Sequence, residues 1–500
     1  MKTNSVANLE LLNCLFKEEA RILYLLSILA CESISLENFF RTIHYHNRKT
    51  VVEKIGAFDA MGWVTVGYET VTCHVRPTDF TSQSVGLDAH TAQLVLSSLV
   101  RQMINRQNDG YEVPARLFLD YLLEERALIT AHPSLVPIFA KAVVTFVPLY
   151  EMSLQKKGRE LVHCLEDRLD FRLLSFVEEL GDTPSLAEAL RLKGQLLCEN
   201  FRYEACEDCF NRAEALLGRQ DAALMSARAW MLYNLGYLGK AIAMAYRAYN
   251  QGIAEGRARS YVDACILLSF LLAMANDMAA SKQYMKCLDH ISKRSHHRIW
   301  LKIIRALHNQ NVENVALKYL DEAELASYRL YGANSPLMSI ISHIRSMVYC
   351  RSEHAEECLR GYEQYVTINA YNFGFSAGSM AVLYSGIINQ KLIDDDTSQI
   401  GPLAKTMNAL CDGDRLIAPG VRMSCLLING IAFFCLGSYR LARQNLLDAK
   451  CLCEELKPDM NTVAELRSIF HNGTIPADEV MMHHAISVID SYLIELTKYQ

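Results

Sequence analysis

The sequence lacks the features that mark membrane and secreted proteins. Its longest apolar runs, residues 22–30 and 264–275, are shorter than the roughly 20 residues that a membrane-spanning helix needs. The first residues, MKTNS, lead into a charged segment and not into the apolar core of a secretory signal. We therefore expect no membrane helix, no membrane partner and no export.

Positive charge is also scarce. The chain has 50 Lys and Arg against 56 Asp and Glu, which gives a net charge of -6 and a pI near 6.2. This balance argues against a protein-wide attraction to nucleic acid or to anionic membranes. The 16 cysteines are spread over apolar helix faces and form no compact framework, which fits a reducing compartment. The sequence thus predicts a cytoplasmic protein.

Motifs that indicate an enzyme or a cofactor site are either missing or lack the surrounding structure that they require. No G-x-x-x-x-G-K-[ST] loop occurs. The G-x-S-x-G match at residues 374–378 lies among helical patterns, without the strand that a nucleophile elbow needs. Cys206 and Cys209 have metal-like spacing, but no second pair of ligands follows at the spacing of a metal site. We expect no catalytic residues, no cofactor and no metal.

What the sequence does contain is a helical repeat. With 51% hydrophobic residues and only 11 prolines in 500 residues, the composition favours helices, and the length requires several domains or a repeat array. One pattern occurs twice in succession. Its first copy is Gly194, Leu197, Tyr203, Cys206, Phe210, Ala213, and its second copy is Ala229, Leu232, Leu238, Ala241, Ala245, Ala248. A third copy reads Gly430, Phe433, Gly437, Tyr439, Ala442, Leu446, Ala449.

The second helix of each pair carries three residues spaced by four and then three, which places them on one helix face. These triplets begin at Cys206, Ala241, Ala280, Ala316, Ala355, Ala404 and Ala442, and the register of the middle ones can slip by one residue. The repeat length and the small residues at helix crossings resemble the tetratricopeptide repeat. The resemblance implies a mainly α fold, an α-α superhelix whose stacked pairs share one continuous core.

Residues 18–80 follow a different pattern. Periodicity predicts helices over Glu18–Ala30, from Ser35 to His44 and over Lys49–Met61, and then a hairpin from Trp63 to Val75. Three helices followed by a two-stranded ribbon resemble a winged helix. The segment VTCHVRPTDF, residues 71–80, is similar to the end of the winged helix that precedes tetratricopeptide-like repeats in signal-transducing (STAND-type) NTPases. Valine at position 75, where that family often has aspartate, and the missing phosphate-binding loop give no support for nucleotide binding.

The patterns divide the chain into four segments. They are a winged-helix-like domain (1–86), an irregular helical connector (87–180), the repeat array (181–457) and C-terminal capping helices (458–500). By resemblance, the first helix of each repeat lines a concave surface, where aromatic, amide and arginine side chains suit peptide capture. The partner-binding residues predicted there are Arg191, Gln195, Trp230, Tyr233, Asn234, Arg305, His308 and Asn309.

Two interpretations stay open for some of these residues. Trp230 and Tyr233 fit the core of the array as well as its concave surface. Arg48, Lys49 and Lys54 lie around the third helix of the winged region, where DNA-binding relatives contact phosphate, but such a domain can also serve packing alone.

The hypothesis that these patterns favour is a non-catalytic cytoplasmic adaptor that binds a protein partner through the groove of its array. One alternative is a transcriptional regulator with a DNA-binding winged helix and a sensor array. Another is an accessory subunit of a separate NTPase or nuclease.

Overall fold

The computed structural model describes residues 12, 15, 17–43, 48–80, 86–105, 112–154, 172–181, 185–199, 202–219, 221–256, 258–286, 288, 295–331, 333, 335–351, 354–373, 377–413 and 417–499. The chain forms two compact units. The first comprises Met1–Leu154 with Asp170–Leu192, and the second comprises Gln155–Leu169 with Lys193–Gln500.

The first unit begins with three helices and a small sheet. The helices are α1 (Lys17–Leu29), α2 (Leu36–Ile43) and α3 (Arg48–Ala60), and the strands are β1 (Ile34–Ser35), β2 (Val64–Val66) and β3 (Thr70–Cys73). The strands lie in the order β1-β3-β2, and both pairings are antiparallel. The predicted hairpin is present between β2 and β3, but the sheet has three strands and not the expected two.

Local chemistry explains these elements. Ser35 caps α2, because its Oγ accepts a hydrogen bond from the backbone N–H of Asn38 at 3.1 Å. The N–H of Gly67 donates to the carbonyl oxygen of Thr70 at 2.8 Å and closes the hairpin. The missed strand β1 has two residues, too few for a period of two to be recognisable, and it exists because Ile34 pairs with the fully buried Val71.

The rest of the first unit is helical where the structure describes it. Its helices are α4 (Ala89–Asn105), α5 (Glu112–Glu124), α6 (Arg126–Ala131), α7 (Val136–Leu154), α8 (Arg172–Glu179) and the first half of α9 (Leu186–Glu199). Helices α4, α5 and α8 pack against α7. The core of this region is aromatic, since Phe118, Phe139 and Phe146 are fully buried and Phe139 meets Phe176 with 5.5 Å between ring centroids.

The second unit continues from α9 as a succession of antiparallel helix pairs. Its helices are α10 (Tyr203–Leu217), α11 (Ala222–Leu235), α12 (Leu238–Glu255), α13 (Ala258–Met274), α14 (Met278–Lys286), α15 (Ser295–His308), α16 (Glu313–Tyr331), α17 (Pro336–Arg351), α18 (Ala355–Phe373), α19 (Ala377–Ile393), α20 (Ile400–Gly413), α21 (Pro419–Cys435), α22 (Tyr439–Leu456), α23 (Met460–Ile469) and α24 (His483–Leu496). Each predicted triplet begins on the second helix of a pair. The unit is a tetratricopeptide-like helical array.

Small residues let the paired helices approach each other. An added Cβ on Gly194 would lie 2.5 Å from Cε1 of Phe210, and one on Gly430 would lie 2.6 Å from Cγ of Leu446. Both distances are too short for a real Cβ, so a glycine on the first helix makes room for a large residue on the second. In the pair α11 and α12 two fully buried alanines, Ala229 and Ala245, occupy the matching positions.

The pair α17 and α18 departs from this rule. The predicted triplet there includes Leu359 and Tyr362, and both are only half-buried. The close approach lies instead between Ser346 and Gly361, where a Cβ on the glycine would collide with the serine hydroxyl. The shift leaves Leu359 and Tyr362 facing an internal space.

The C-terminal part of the array also contacts its earlier helices. The N–H of His471 donates to Oδ2 of Asp277 at 2.7 Å, although the two residues are 194 positions apart. Helix α23 packs along α12, and α24 packs on α22. Helix α24 begins at His483, after turns in which the N–H of Val480 donates to the carbonyl oxygen of Pro476 at 3.1 Å.

Across the described ranges, no helix combines the length and the apolar character that crossing a membrane requires.

Candidate functional site

The second unit contains a large cavity that is partly open to solvent. Its volume is about 950 Å³. The wall is built by α11, α12, α13, α17, α18, α19 and α21, together with the segment that precedes α24. Residues from the second repeat and from the C-terminal helices therefore face the same space.

One side of the cavity is an aromatic cluster that the first helices of two neighbouring pairs provide. Trp230 and Tyr233 project from α11 and Phe270 from α13, with ring centroids 5.5 to 5.9 Å apart. Trp300 supports the cluster, since its centroid lies 5.9 Å from that of Trp230. Trp230 and Tyr233 are thus packed against other rings and also line the cavity, and their role in partner binding stays a prediction.

A second cluster of rings lines the cavity from α17 and α18. The His343 ring lies 6.1 Å from that of Tyr362 and 5.4 Å from that of Tyr365. Burial lowers the pKa of His343, so its imidazole is neutral near pH 7, and burial raises the pKa of both tyrosines. Nδ1 of His343 has no hydrogen-bond partner among the described residues.

Several of these side chains are enclosed by protein without being fully covered. Tyr233, His343 and Tyr365 are deeply surrounded by neighbouring atoms, yet each keeps an accessible part of its surface. Because all three line the cavity, that surface is available to a molecule inside it.

The polar groups of the wall are mostly uncharged. Asn234, Asn389 and Gln390 present amides, and Ser385 and Ser424 present hydroxyls. Among the lining residues that the structure describes, Glu479 is the one with a full charge, and none is a lysine or an arginine.

The cavity lies beside the place where the array closes. Gly236 ends α11 with φ +95°, and an added Cβ would lie 2.6 Å from Cα of Gly420 at the start of α21. Both glycines line the cavity. The backbones touch there because neither residue has a side chain, which is the close approach that glycine permits.

Polar contacts reinforce this closure. The hydroxyl of Tyr237 donates to Oε1 of Glu455 at 2.7 Å, and burial together with this carboxylate raises the pKa of Tyr237 to about 12. Nε of Arg247 donates to Oε1 of Glu465 at 2.9 Å. We call these two contacts and the Gly236–Gly420 approach the closure.

The other predicted partner-binding residues are placed elsewhere. Nε2 of His308 lies 2.8 Å from the Ser281 hydroxyl, and Asn309 donates to the carbonyl oxygen of Arg305 at 2.7 Å. None of these three lines the cavity, nor does the half-buried Gln195. Arg191 belongs to the first unit, where its guanidinium pairs with Glu188. Their role in binding stays a prediction.

Sequence reasoning missed Phe270, His343, Tyr362 and Tyr365. A signal was present for Tyr362, because an aromatic residue stands there at the third position of a triplet that elsewhere holds alanine or cysteine. No such signal was present for the other three residues, because an aromatic residue on the apolar face of a helix predicts a position in the core.

The basic residues of the first unit are largely paired within it. Nη1 of Arg48 lies 2.9 Å from Oε2 of Glu37, and Lys54 forms an ion pair with Glu19. The arginines Arg41 and Arg48 hold the pKa of Glu37 below its usual value. Lys49 is exposed. DNA contact by these residues also stays a prediction.

No protein-family model and no curated protein matches the sequence. Among solved structures, the chain is similar to a signal transduction ATPase (STAND protein) with a tetratricopeptide repeat sensor from Pyrococcus horikoshii, with 15% identity, a TM-score of 0.42, and coverage of 90% of this chain and 65% of that one. It is also similar to a Rap protein complexed with competence and sporulation factor, with 12% identity, a TM-score of 0.35, and coverage of 82% and 97%. The chain thus spans about two thirds of the length of the STAND protein.

Proposed function

We propose that this protein is a non-catalytic cytoplasmic adaptor whose repeat array captures a short peptide segment of a partner inside the cavity. The observation that carries the proposal is the wall itself, in which two aromatic clusters face a space of about 950 Å³. Rigid aromatic rings supply large contact areas at low entropic cost, which is why they dominate peptide and protein binding sites.

The polar groups of the wall support a peptide over other ligands. Amides such as those of Asn389 and Gln390 can donate to and accept from a peptide backbone. Proteins commonly bind nucleotides and other phosphorylated compounds with arginine, lysine or a metal ion, and the described wall holds no lysine or arginine. The volume is at the upper end of the 300 to 1,000 Å³ that small-molecule pockets span.

The absence of catalysis is part of the same proposal. The cavity contains Cys350, Cys358 and His343, which in other settings perform nucleophilic chemistry. Contact with Cys350 and burial raise the pKa of the Cys358 thiol, whereas a nucleophilic cysteine needs a lowered pKa. In the described part of the chain no cluster of histidine, cysteine and carboxylate side chains is suited to a metal ion.

We also infer that residues 17–80 form a winged helix that serves packing. Support comes from the chain order of helix, strand, two helices and hairpin, and from β1 pairing with β3. The internal ion pairs of Arg48 and Lys54 favour packing over DNA contact, because a cation already paired with a carboxylate neutralises phosphate poorly.

Peptide capture can be tested with a displayed library of random heptapeptides selected on the full chain. Enriched peptides are synthesised with a fluorophore, and their Kd is measured by anisotropy. Gly386→Trp narrows the cavity, because a Cβ at this lining residue already meets Cδ2 of Tyr362 at 3.3 Å. We expect this variant to weaken binding by at least about tenfold.

The matched control is Gly56→Trp, which adds the same side chain at an exposed helix position with open space around it. It should leave the Kd unchanged. Peptides that bind Gly386→Trp as tightly as the unmodified chain would show that the cavity is not the binding site.

A further inference from the structure

We propose that Glu479 makes the cavity selective for a cationic segment, so that the captured peptide carries a lysine, an arginine or a free amino terminus among apolar residues. This inference rests on the proposed function. It adds the charge of the partner segment, which the favoured adaptor hypothesis leaves open.

Glu479 stands out among the carboxylates around the cavity. It lies between α23 and α24, is half-buried and lines the cavity together with Met482. Its carboxylate makes no ion pair or hydrogen bond with another described residue. By contrast, the nearby closure carboxylates are paired, Glu455 with Tyr237 and Glu465 with Arg247.

An unpaired carboxylate that is partly removed from water is costly for the empty protein. It loses part of its hydration and receives no partner in return. A ligand that places a positive charge beside Glu479 supplies the missing ion pair, whereas a ligand with a carboxylate adds repulsion. The free energy of binding therefore favours cationic peptides over neutral ones, and neutral ones over acidic ones.

The aromatic rings act in the same direction. Cations are attracted to the faces of tryptophan and tyrosine rings, and the wall contains Trp230, Tyr233, Tyr362 and Tyr365. Since no described lysine or arginine lines the cavity, no cation of the described wall competes for these faces. The Glu479 carboxylate and the ring faces therefore both favour a cationic ligand.

The same random heptapeptide library tests the inference when it is selected in parallel on the full chain, on Glu479→Gln and on Gly386→Trp. We expect lysine or arginine to be enriched on the full chain and not on Glu479→Gln. The tightest peptide is then resynthesised with norleucine in place of its basic residue. This change should weaken binding to the full chain by about fivefold to tenfold and leave binding to Glu479→Gln unchanged.

Asp478→Asn is the matched control, because Asp478 is the adjacent acid, is exposed and does not line the cavity. It should keep the preference for basic peptides. Thermal unfolding of Glu479→Gln should match that of the unmodified chain, since the substitution breaks no ion pair among the described residues.

The outcomes separate the two proposals. Peptides that bind in a Gly386-sensitive way, but without a basic preference or with the same preference on Glu479→Gln, would overturn the role of Glu479 and leave peptide capture intact. Peptides that bind Gly386→Trp and the unmodified chain equally well would overturn both.

Discussion

The helix crossings of the array and the wall of its cavity occupy equivalent positions in the repeat, yet they are filled in opposite ways. At the crossings, Gly194 faces Phe210 and Gly430 faces Leu446, so a missing side chain on one helix receives a large one from the other. In the pair α17 and α18 the equivalent positions are His343 and Leu359, and both line the cavity.

The difference shows how a helical repeat array can leave a cavity between its helices. In this pair the close approach lies at Ser346 and Gly361, and His343 and Leu359 face the cavity instead of filling the crossing. Residues that depart from the repeat pattern therefore form part of the cavity wall.

The largest expected loss of stability comes from a substitution at a helix crossing. Gly430→Leu places a side chain against Leu446, where a Cβ alone would lie 2.6 Å from Cγ. The free energy of unfolding should fall by about 3 kcal/mol, because an overpacked crossing forces the helices apart. Thermal and denaturant unfolding measure the decrease.

Gly386→Leu is the control for this change, because it adds the same side chain at the cavity wall. The free energy of unfolding should fall by no more than about 1 kcal/mol, because the nearest atom to a Cβ is Cδ2 of Tyr362 at 3.3 Å and this side chain can move into the adjoining cavity. If both variants lose equal stability, the crossings and the wall do not differ as described.

A smaller effect is expected at the closure. Gly420→Val places a branched side chain where a Cβ would lie 2.8 Å from Cα of Gly236. We expect the free energy of unfolding to fall by about 2 kcal/mol and amide hydrogen exchange in α23 to become faster, because the C-terminal helices separate from α12.

Gly401→Val is the matched control for the closure, with a Cβ 3.7 Å from Leu436 and far from any glycine backbone. It should leave exchange in α23 unchanged. Equal protection of α23 in Gly420→Val would mean that the closure contributes no stability.

A pH effect separates a half-buried histidine of the array from an exposed one. Burial, with the positive charges of Lys282 and Arg305, lowers the pKa of His308 from 6.5 to about 4. The unfolded chain therefore binds a proton that the folded chain does not, and the free energy of unfolding falls as the pH drops from 6.5 towards 4.

His308→Gln should flatten this part of the stability profile, whereas His484→Gln, at an exposed position, should not. Unfolding in denaturant at a series of pH values measures the slopes. Parallel profiles for His308→Gln and the unmodified chain would contradict the assignment.

The smallest effect is expected in the first unit. Changing Arg48, Lys49 and Lys54 to glutamine together should cost less than about 1 kcal/mol, because the ion pairs with Glu37 and Glu19 are at least partly exposed. Peptide binding should not change. No tight binding of the full chain to duplex DNA is expected at physiological salt.

A nanomolar, sequence-dependent shift of duplex DNA that these three changes abolish would reverse the ranking of the hypotheses. In that case the salt dependence of binding should also flatten, by about one unit for each phosphate that the variant no longer neutralises.

Local patterns were enough to locate most of the fold. The helix period predicted α1 and α3 to within one residue at each end, and the alternation after Trp63 predicted the hairpin. The recurring small residues predicted the paired helices and the crossing at Gly430. These features depend on residues that lie close together in the sequence, so they can be predicted from one sequence alone.

The sequence alone determined the helix pairs, their crossings and two of the cavity's rings, Trp230 and Tyr233. Only the tertiary structure decided the pairing of β1 with β3, the contact of Gly236 with Gly420 and the meeting of Glu479 with the aromatic clusters. Each of these joins residues far apart in the chain. The two contacts within the array depend on the accumulated rotation from one helix pair to the next, and the β1–β3 pairing depends on how the chain folds back after two intervening helices. No spacing within the sequence encodes either arrangement directly.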